Sequence, residues 1–313
     1  MDYALPPVFV TAEAEMLPLA GEVNWGMDVL GIEYLRSLKP NPIKLGIVDT
    51  GTDPNHPLIS ANHMGSKSFV PGQSAYDGNG HGSHCTGTVC ATDPRIGVAS
   101  GFPYYHGKGL SNGGSGSTSG LINAIDYCLS NGCGIVSNSW GGGGPSSSDE
   151  REYRRMAESK AADGGPVWLI AAGGNSGPNT PDTDYPGRYP WFLNVAALNV
   201  NLTPASFSSA GDKIDTSGPG VNIWSARPGG GFAQMSGTSM ATPYICGLLG
   251  LFRACLIDRG LPIPDVHGMR KLLFFRSTDT HTPGDDRRTG PGWATPALLE
   301  SALTPPPMPV EEA

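Results

Sequence analysis

The chain has 313 residues, a formal net charge of −8 and 15% charged residues, which leaves room for one large domain or two ordinary ones. With 38% hydrophobic residues it can bury a sizeable core, and without any Lys/Arg block it offers no footing for nucleic acid. The longest strongly apolar stretch, Tyr244 to Phe252, is too short and glycine-rich to span a bilayer, so a membrane is not expected either.

In chain order, residues 1–24 mix Pro, Ala and acidic residues without sustained periodicity and read as an arm. Residues 25–303 read as one domain. Its first strand is the apolar run Ile43 to Val48, ending abruptly at Asp49-Thr50-Gly51. A helix over His81 to Ala91 follows a Gly-Asn-Gly turn. Leu121 to Leu129 predicts an amphipathic helix leading into a strand over Ile135 to Ser139, and Asp149 to Ala162 predicts a charged helix. Val167 to Ala172 and Phe192 to Ala197 are apolar runs of strand length bounded by Gly or Pro. Ser239 opens a long apolar helix, and Asp265 to Phe275 predicts another. The tail, 304–313, holds three consecutive prolines and is expected to be extended and mobile. Strands separated by helices imply an α/β fold, a mainly parallel sheet covered on both faces, with sites at the carboxyl ends of the strands. Asp49, Ser139 and Asn175 all fall just after apolar runs.

There are six cysteines. On a helix Cys85 and Cys90 point about 140° apart, and Cys246 and Cys255 lie roughly 13 Å apart along the axis, so neither pair closes. Only Cys128 and Cys133 are spaced to close a loop. Mostly free thiols fit a reducing compartment, and no basic start followed by an apolar core opens the chain. The expectation is therefore a cytoplasmic chain, with a secreted mature form as the alternative.

Three motifs carry chemistry: Ile47-Val48-Asp49-Thr50-Gly51, His81-Gly82-Ser83-His84-Cys85-Thr86-Gly87-Thr88, and Gly237-Thr238-Ser239-Met240-Ala241-Thr242-Pro243. Taken singly, an Asp ending a strand is a turn cap, a His at a helix start is structural, and a Ser before a helix is an N-cap. Together, in the order Asp, His, Ser, they resemble the subtilisin family, which differs in that order from other serine hydrolases. The resemblance runs from about Ile43 to Leu303. It includes Tyr185-Pro186-Gly187-Arg188-Tyr189-Pro190, Ala205-Ser206-Phe207-Ser208-Ser209, Pro219-Gly220-Val221 and the Gly290-Pro291-Gly292 turn.

The resemblance implies a subtilisin-like three-layer fold and a serine endopeptidase. Ser239 would be the nucleophile, His81 the general base and Asp49 the residue orienting the imidazole. Asn175, by itself an ordinary turn residue, would donate its side-chain amide to the oxyanion, beside the backbone N–H of Ser239. His84 reads as a packing residue. Substrate would bind as an extended strand between Gly114-Ser115-Gly116 and Ser139-Trp140-Gly141, segments that otherwise read as a linker and a strand. The residue before Tyr-Pro-Gly lies at the floor of the family's primary specificity pocket. Here it is Asp184, which implies a preference for Arg or Lys on the acyl side of the cleaved bond, with Asp182 adding to the negative field.

Two departures from the family stand out. The segment from His81 to Gly97 lacks a calcium-loop insertion, and Leu58 follows His56-Pro57 where relatives place an Asp ligand. The family's tight calcium site is therefore expected to be absent, with no cofactor required for catalysis and only weak calcium binding elsewhere left open. The usual folded pro-region is also missing. Either it was removed, or a short arm takes its place across the cleft, as in the intracellular members; Tyr3-Ala4-Leu5-Pro6-Pro7-Val8 is the segment expected there. Two rival readings are an aspartic protease pairing Asp49 with Asp215, and a catalytically silent binding protein on a protease fold.

Overall fold

The computed structural model describes residues 2–15 and 24–295; the tail read at 304–313 and the end of the domain, 296–303, lie outside them. The frame is a seven-stranded, wholly parallel sheet made of β3 (Leu45–Asp49), β4 (His63–Ser68), β5 (Tyr104–Lys108), β7 (Ile135–Asn138), β9 (Trp168–Ala172), β10 (Phe192–Leu198) and β11 (Thr216–Pro219). Their order is β11-β10-β9-β7-β3-β5-β4. Successive side chains alternate faces, as a strand requires. Ile47, Ile135 and Ile170 join one core, whereas Val48, Val136, Leu169 and Ala171 join the other.

The first core is covered by α3 (His81–Cys90), α6 (Thr238–Asp258), α7 (Val266–Arg276) and the short helices α1 (Trp25–Leu30) and α2 (Glu33–Ser37); the second is covered by α4 (Thr118–Ser130) and α5 (Ser147–Ala157). Strand order reverses between β3 and β7, and ligands of such sheets collect in the crevice beyond that reversal. Asp49 ends β3, and Ser139 directly follows β7.

Helix boundaries shift where caps set them. Helix α4 starts at Thr118, not Leu121, because Ser117 accepts the Gly120 N–H. Helix α5 starts early for the same reason at Ser146 and stops at Ala157 rather than Ala162. Helix α6 is 21 residues long and apolar enough to cross a bilayer by length and composition, although Tyr244 to Phe252 alone is too short. Its stretch is 94% buried inside the protein, so the core uses that apolar surface. All six cysteines are free and buried, Cys128 and Cys133 included, which corrects the loop closure their spacing allows.

The arm departs from its composition, which shows no sustained periodicity. It is not featureless: β1 (Asp2–Ala4) and β2 (Phe9–Ala14) both pair with the body. Strand β1 lies antiparallel between β6 (Ser115–Ser117) and β8 (Gly141–Gly142). Strand β2 adds to the hairpin of β12 (Ile223–Arg227) and β13 (Gly231–Ser236).

Candidate active site

Asp49 is held by the end of β3 and His81 by the first turn of α3. Gly82 brings them together: a Cβ on it would sit 2.1 Å from the Gly51 carbonyl oxygen, so only glycine lets α3 lie on that turn. His81 Nδ1 bonds Asp49 Oδ1 at 2.7 Å, and the same oxygen accepts the Thr50 N–H at 2.7 Å. Both side chains are buried. Burial opposes both charges, yet the short bond wins: His81 is held well above the ordinary imidazole value and Asp49 below the usual carboxylate range.

Asp77, which motif reading missed, fixes the helix start. Its Oδ1 accepts from Thr50 Oγ1 (2.9 Å), Asn79 N (3.0 Å) and Gly80 N (2.8 Å), and its Oδ2 from Ser83 N at 2.7 Å. The signal was present as Asp77-Gly78-Asn79-Gly80, an Asx-turn sequence just before a helix. Lys108, also missed, ends β5 beside Asp49; its Nζ donates to the Thr50 carbonyl and, at 2.7 Å, to Asn112 Oδ1.

Ser239 is the second residue of α6, buried, with its Oγ donating to the Ser139 carbonyl at 3.2 Å. His81 Nε2, the nitrogen that would take its proton, has no partner among the described residues. Pro243, four residues on, has no N–H to give the Ser239 carbonyl, and the Cys85 thiol bonds that oxygen instead at 3.5 Å. Asp49, His81 and Cys85 place three ligand-type atoms within 4.8 Å of one another. Burial keeps Cys85 a thiol, which disfavours it as a metal ligand. His84 is a buried packing residue whose Nε2 meets the Ile223 carbonyl at 2.9 Å.

Asn175 is aimed by Thr238, whose N–H and hydroxyl both donate to its Oδ1 (2.9 and 2.8 Å). That leaves Nδ2 facing the cleft, where it donates to the Pro7 carbonyl at 2.7 Å. The expected edges are occupied: Tyr3 pairs with Gly116 and Gly142, Ala4 with Ser115 and Gly141, and Leu5 N–H donates to the Gly114 carbonyl at 2.9 Å. Tyr3 is fully buried, its ring edge-on to Trp140 at 5.1 Å.

Asp184 lies against Gly141 and Gly174. A Cβ on Gly174, whose φ is +102°, would come within 2.5 Å of Asp184 Oδ2. Burial raises its pKa, and no cationic side chain pairs with it among the described residues. Asp182, expected to reinforce it, is instead paired with Arg188 at 2.7 Å. Asp215 is likewise committed, to Arg270 at 2.7 Å, so it forms no carboxylate dyad with Asp49.

At Leu58, where the family resemblance places an Asp ligand for calcium, the chain offers no carboxylate. Leu58 packs an apolar side chain on the core, and its carbonyl accepts the Thr92 N–H at 2.8 Å. Calcium needs several hard oxygens, so a chelator is expected to leave the melting temperature unchanged. A fall of several degrees would show calcium bound elsewhere.

The model of the subtilase family matches residues 41–292, and the chain belongs to that family. It is similar to M-protease of Shouchella clausii (36% identity over 251 residues, 78% of this chain and 63% of that one). It is similar also to subtilisin E of Bacillus subtilis (39% over 216 residues; 67% and 55%) and to subtilisin Savinase of Lederbergia lenta (37% over 240 residues; 75% and 85%). The chain thus spans less than two thirds of M-protease and of subtilisin E.

Proposed function

We propose that the chain is a serine endopeptidase acting on extended peptides, restrained by its own arm and preferring Arg or Lys on the acyl side. The observation that carries this reading is the bonded Asp49–His81 pair beside Ser239, with the Asn175 amide already engaging a peptide carbonyl. Ser239 Oγ leaves the Ser139 carbonyl and gives its proton to His81 Nε2 as it attacks the substrate carbonyl carbon. The resulting oxyanion accepts from Asn175 Nδ2 and, as the family resemblance implies, from the Ser239 N–H. Collapse breaks the C–N bond, and His81 returns the proton to the departing amine. Water then hydrolyses the ester by the same route. No cofactor enters these steps. Free thiols at all six cysteines support a reducing, cytoplasmic setting.

The arm occupies the edges a substrate strand would use, and Pro6-Pro7 stands at the catalytic centre. Pro6 and Pro7 lack N–H groups and have fixed φ, so the arm departs from an ordinary extended strand on the acyl side of the Pro7 carbonyl that meets Asn175. A fluorophosphonate probe tests both halves of the reading. Ser239 should be labelled, with loss of fluoride, and Ser239→Ala should not. Removing a buried aromatic costs about 3 kcal/mol or more, so Tyr3→Ala should raise the labelling rate by on the order of a hundredfold. An unchanged rate would remove the arm's inhibitory role; no labelling in either protein would remove the peptidase.

A further inference from the structure

The arm does not stop at the catalytic centre. Beyond Pro7, β2 runs along the outer edge of β13, pairing Phe9 with Ser236, Val10 with Met235, Ala12 with Gln234, Glu13 with Ala233 and Ala14 with Phe232. Its side chains are also engaged. Phe9 packs on Phe207 with ring centroids 5.6 Å apart, and the Thr11 hydroxyl donates to Gln234 Oε1 at 2.8 Å. At the far end Arg227 of β12 reaches across, with Nη2 2.8 Å from Glu15 Oε1 and Nη1 3.9 Å from Glu13 Oε2.

We propose that, once the arm leaves, this edge docks the substrate itself. A segment several residues downstream of the cleaved bond adds to β13 as a strand, and Arg227 selects acidic side chains at its far end. The inference rests on the peptidase reading above and extends it, from the residues flanking the cleaved bond to the full length of β13. Three features support it. An unpaired strand edge recruits extended chain through its backbone groups. The arm passes from β6 and β8 to β13 in a single direction, so a substrate running the same way meets both edges. The fixed cation lies where the arm's own carboxylates fall. Counted from Pro7, whose carbonyl meets Asn175, Glu13 and Glu15 are the sixth and eighth residues downstream.

The test uses the full-length chain and compares peptides. The ratio of two kcat/KM values is independent of how often the arm is docked, because both substrates wait for the same release. Two peptides share every residue except the sixth and eighth after the cleaved bond, which are Glu in one and Lys in the other. A third ends at the third residue. The Glu peptide should exceed the Lys peptide by about five- to tenfold at low salt, with the gap closing at high salt as exposed charges are screened. The truncated peptide should fall below the Glu peptide by a similar factor. Arg227→Glu should reverse the order of the two long peptides; it also loosens the arm, but that effect cancels in the ratio. Equal values for Glu and Lys, or an order that Arg227→Glu leaves alone, would overturn the inference while leaving the peptidase intact. Failure to cut all three peptides would overturn the peptidase reading and this one with it.

Discussion

Ser239→Ala and His81→Ala are each expected to lower kcat on a peptide amide by on the order of 10⁶, because nucleophile and base act as one unit. Asn175→Ala should cost about 10²–10³, mainly in kcat, since its amide is matched to a charge that develops only in the transition state. The pH profile gives an independent reading. His81 must be neutral to act, so activity is present above its pKa and is lost as pH falls through it. Asp49 at 2.7 Å holds that pKa well above the ordinary imidazole value, so the limb in kcat/KM should lie above about 6.5. Asp49→Asn should move the limb down and cost about 10⁴ in kcat. Comparable turnover in wild type and Ser239→Ala would end the assignment, and a limb at or below the ordinary value would contradict the Asp49–His81 geometry.

The second large effect concerns Asp184. Gly141 and Gly174 lie on either side of Asp184, and no cationic side chain pairs with it among the described residues, so a long cationic side chain of a substrate can pair with its carboxylate. Arg and Lys peptides should exceed Phe and Leu peptides in kcat/KM by about a hundredfold, and Asp184→Asn should erase most of that, since a charge-assisted bond contributes about 1.5–3 kcal/mol. Burial raises the pKa of Asp184, so the preference holds above that pKa and fades as pH falls through it. A wild type that favours Phe or Leu would show that the substrate side chain does not reach Asp184.

Much of the sheet was legible because its inner strands are buried on both faces and read as continuous apolar runs. The outer strands β4 and β5, His63-Met64-Gly65-Ser66-Lys67-Ser68 and Tyr104-Tyr105-His106-Gly107-Lys108, carry polar residues at an edge and near a site, and no run betrays them. The arm's second strand was hidden for a different reason. Strand β2 is made by hydrogen bonds to β13, more than two hundred residues away, and local composition holds no trace of such a partner. Asp49, His81, Ser239 and Asn175 were readable because each sits in a motif. The rotation of Ser239 toward Ser139, the buried Asp77 and the Cys85 thiol bonded to the Ser239 carbonyl were not, because each depends on how distant backbone segments converge.

Tethering gives the arm a property no free inhibitor shares. Tyr3 and Pro7 belong to the same molecule as Trp140 and Asn175, so docking is unimolecular and its effective concentration is set within one molecule. If the arm restrains activity as proposed, diluting the protein will not relieve that restraint, and the fraction docked will be the same at nanomolar as at micromolar enzyme. A competing peptide must match that effective molarity. Low-affinity fragments will accordingly look like poor substrates whatever their sequence. Only ligands that engage both edges at once, or an event that cuts the connection between arm and body, can shift the balance.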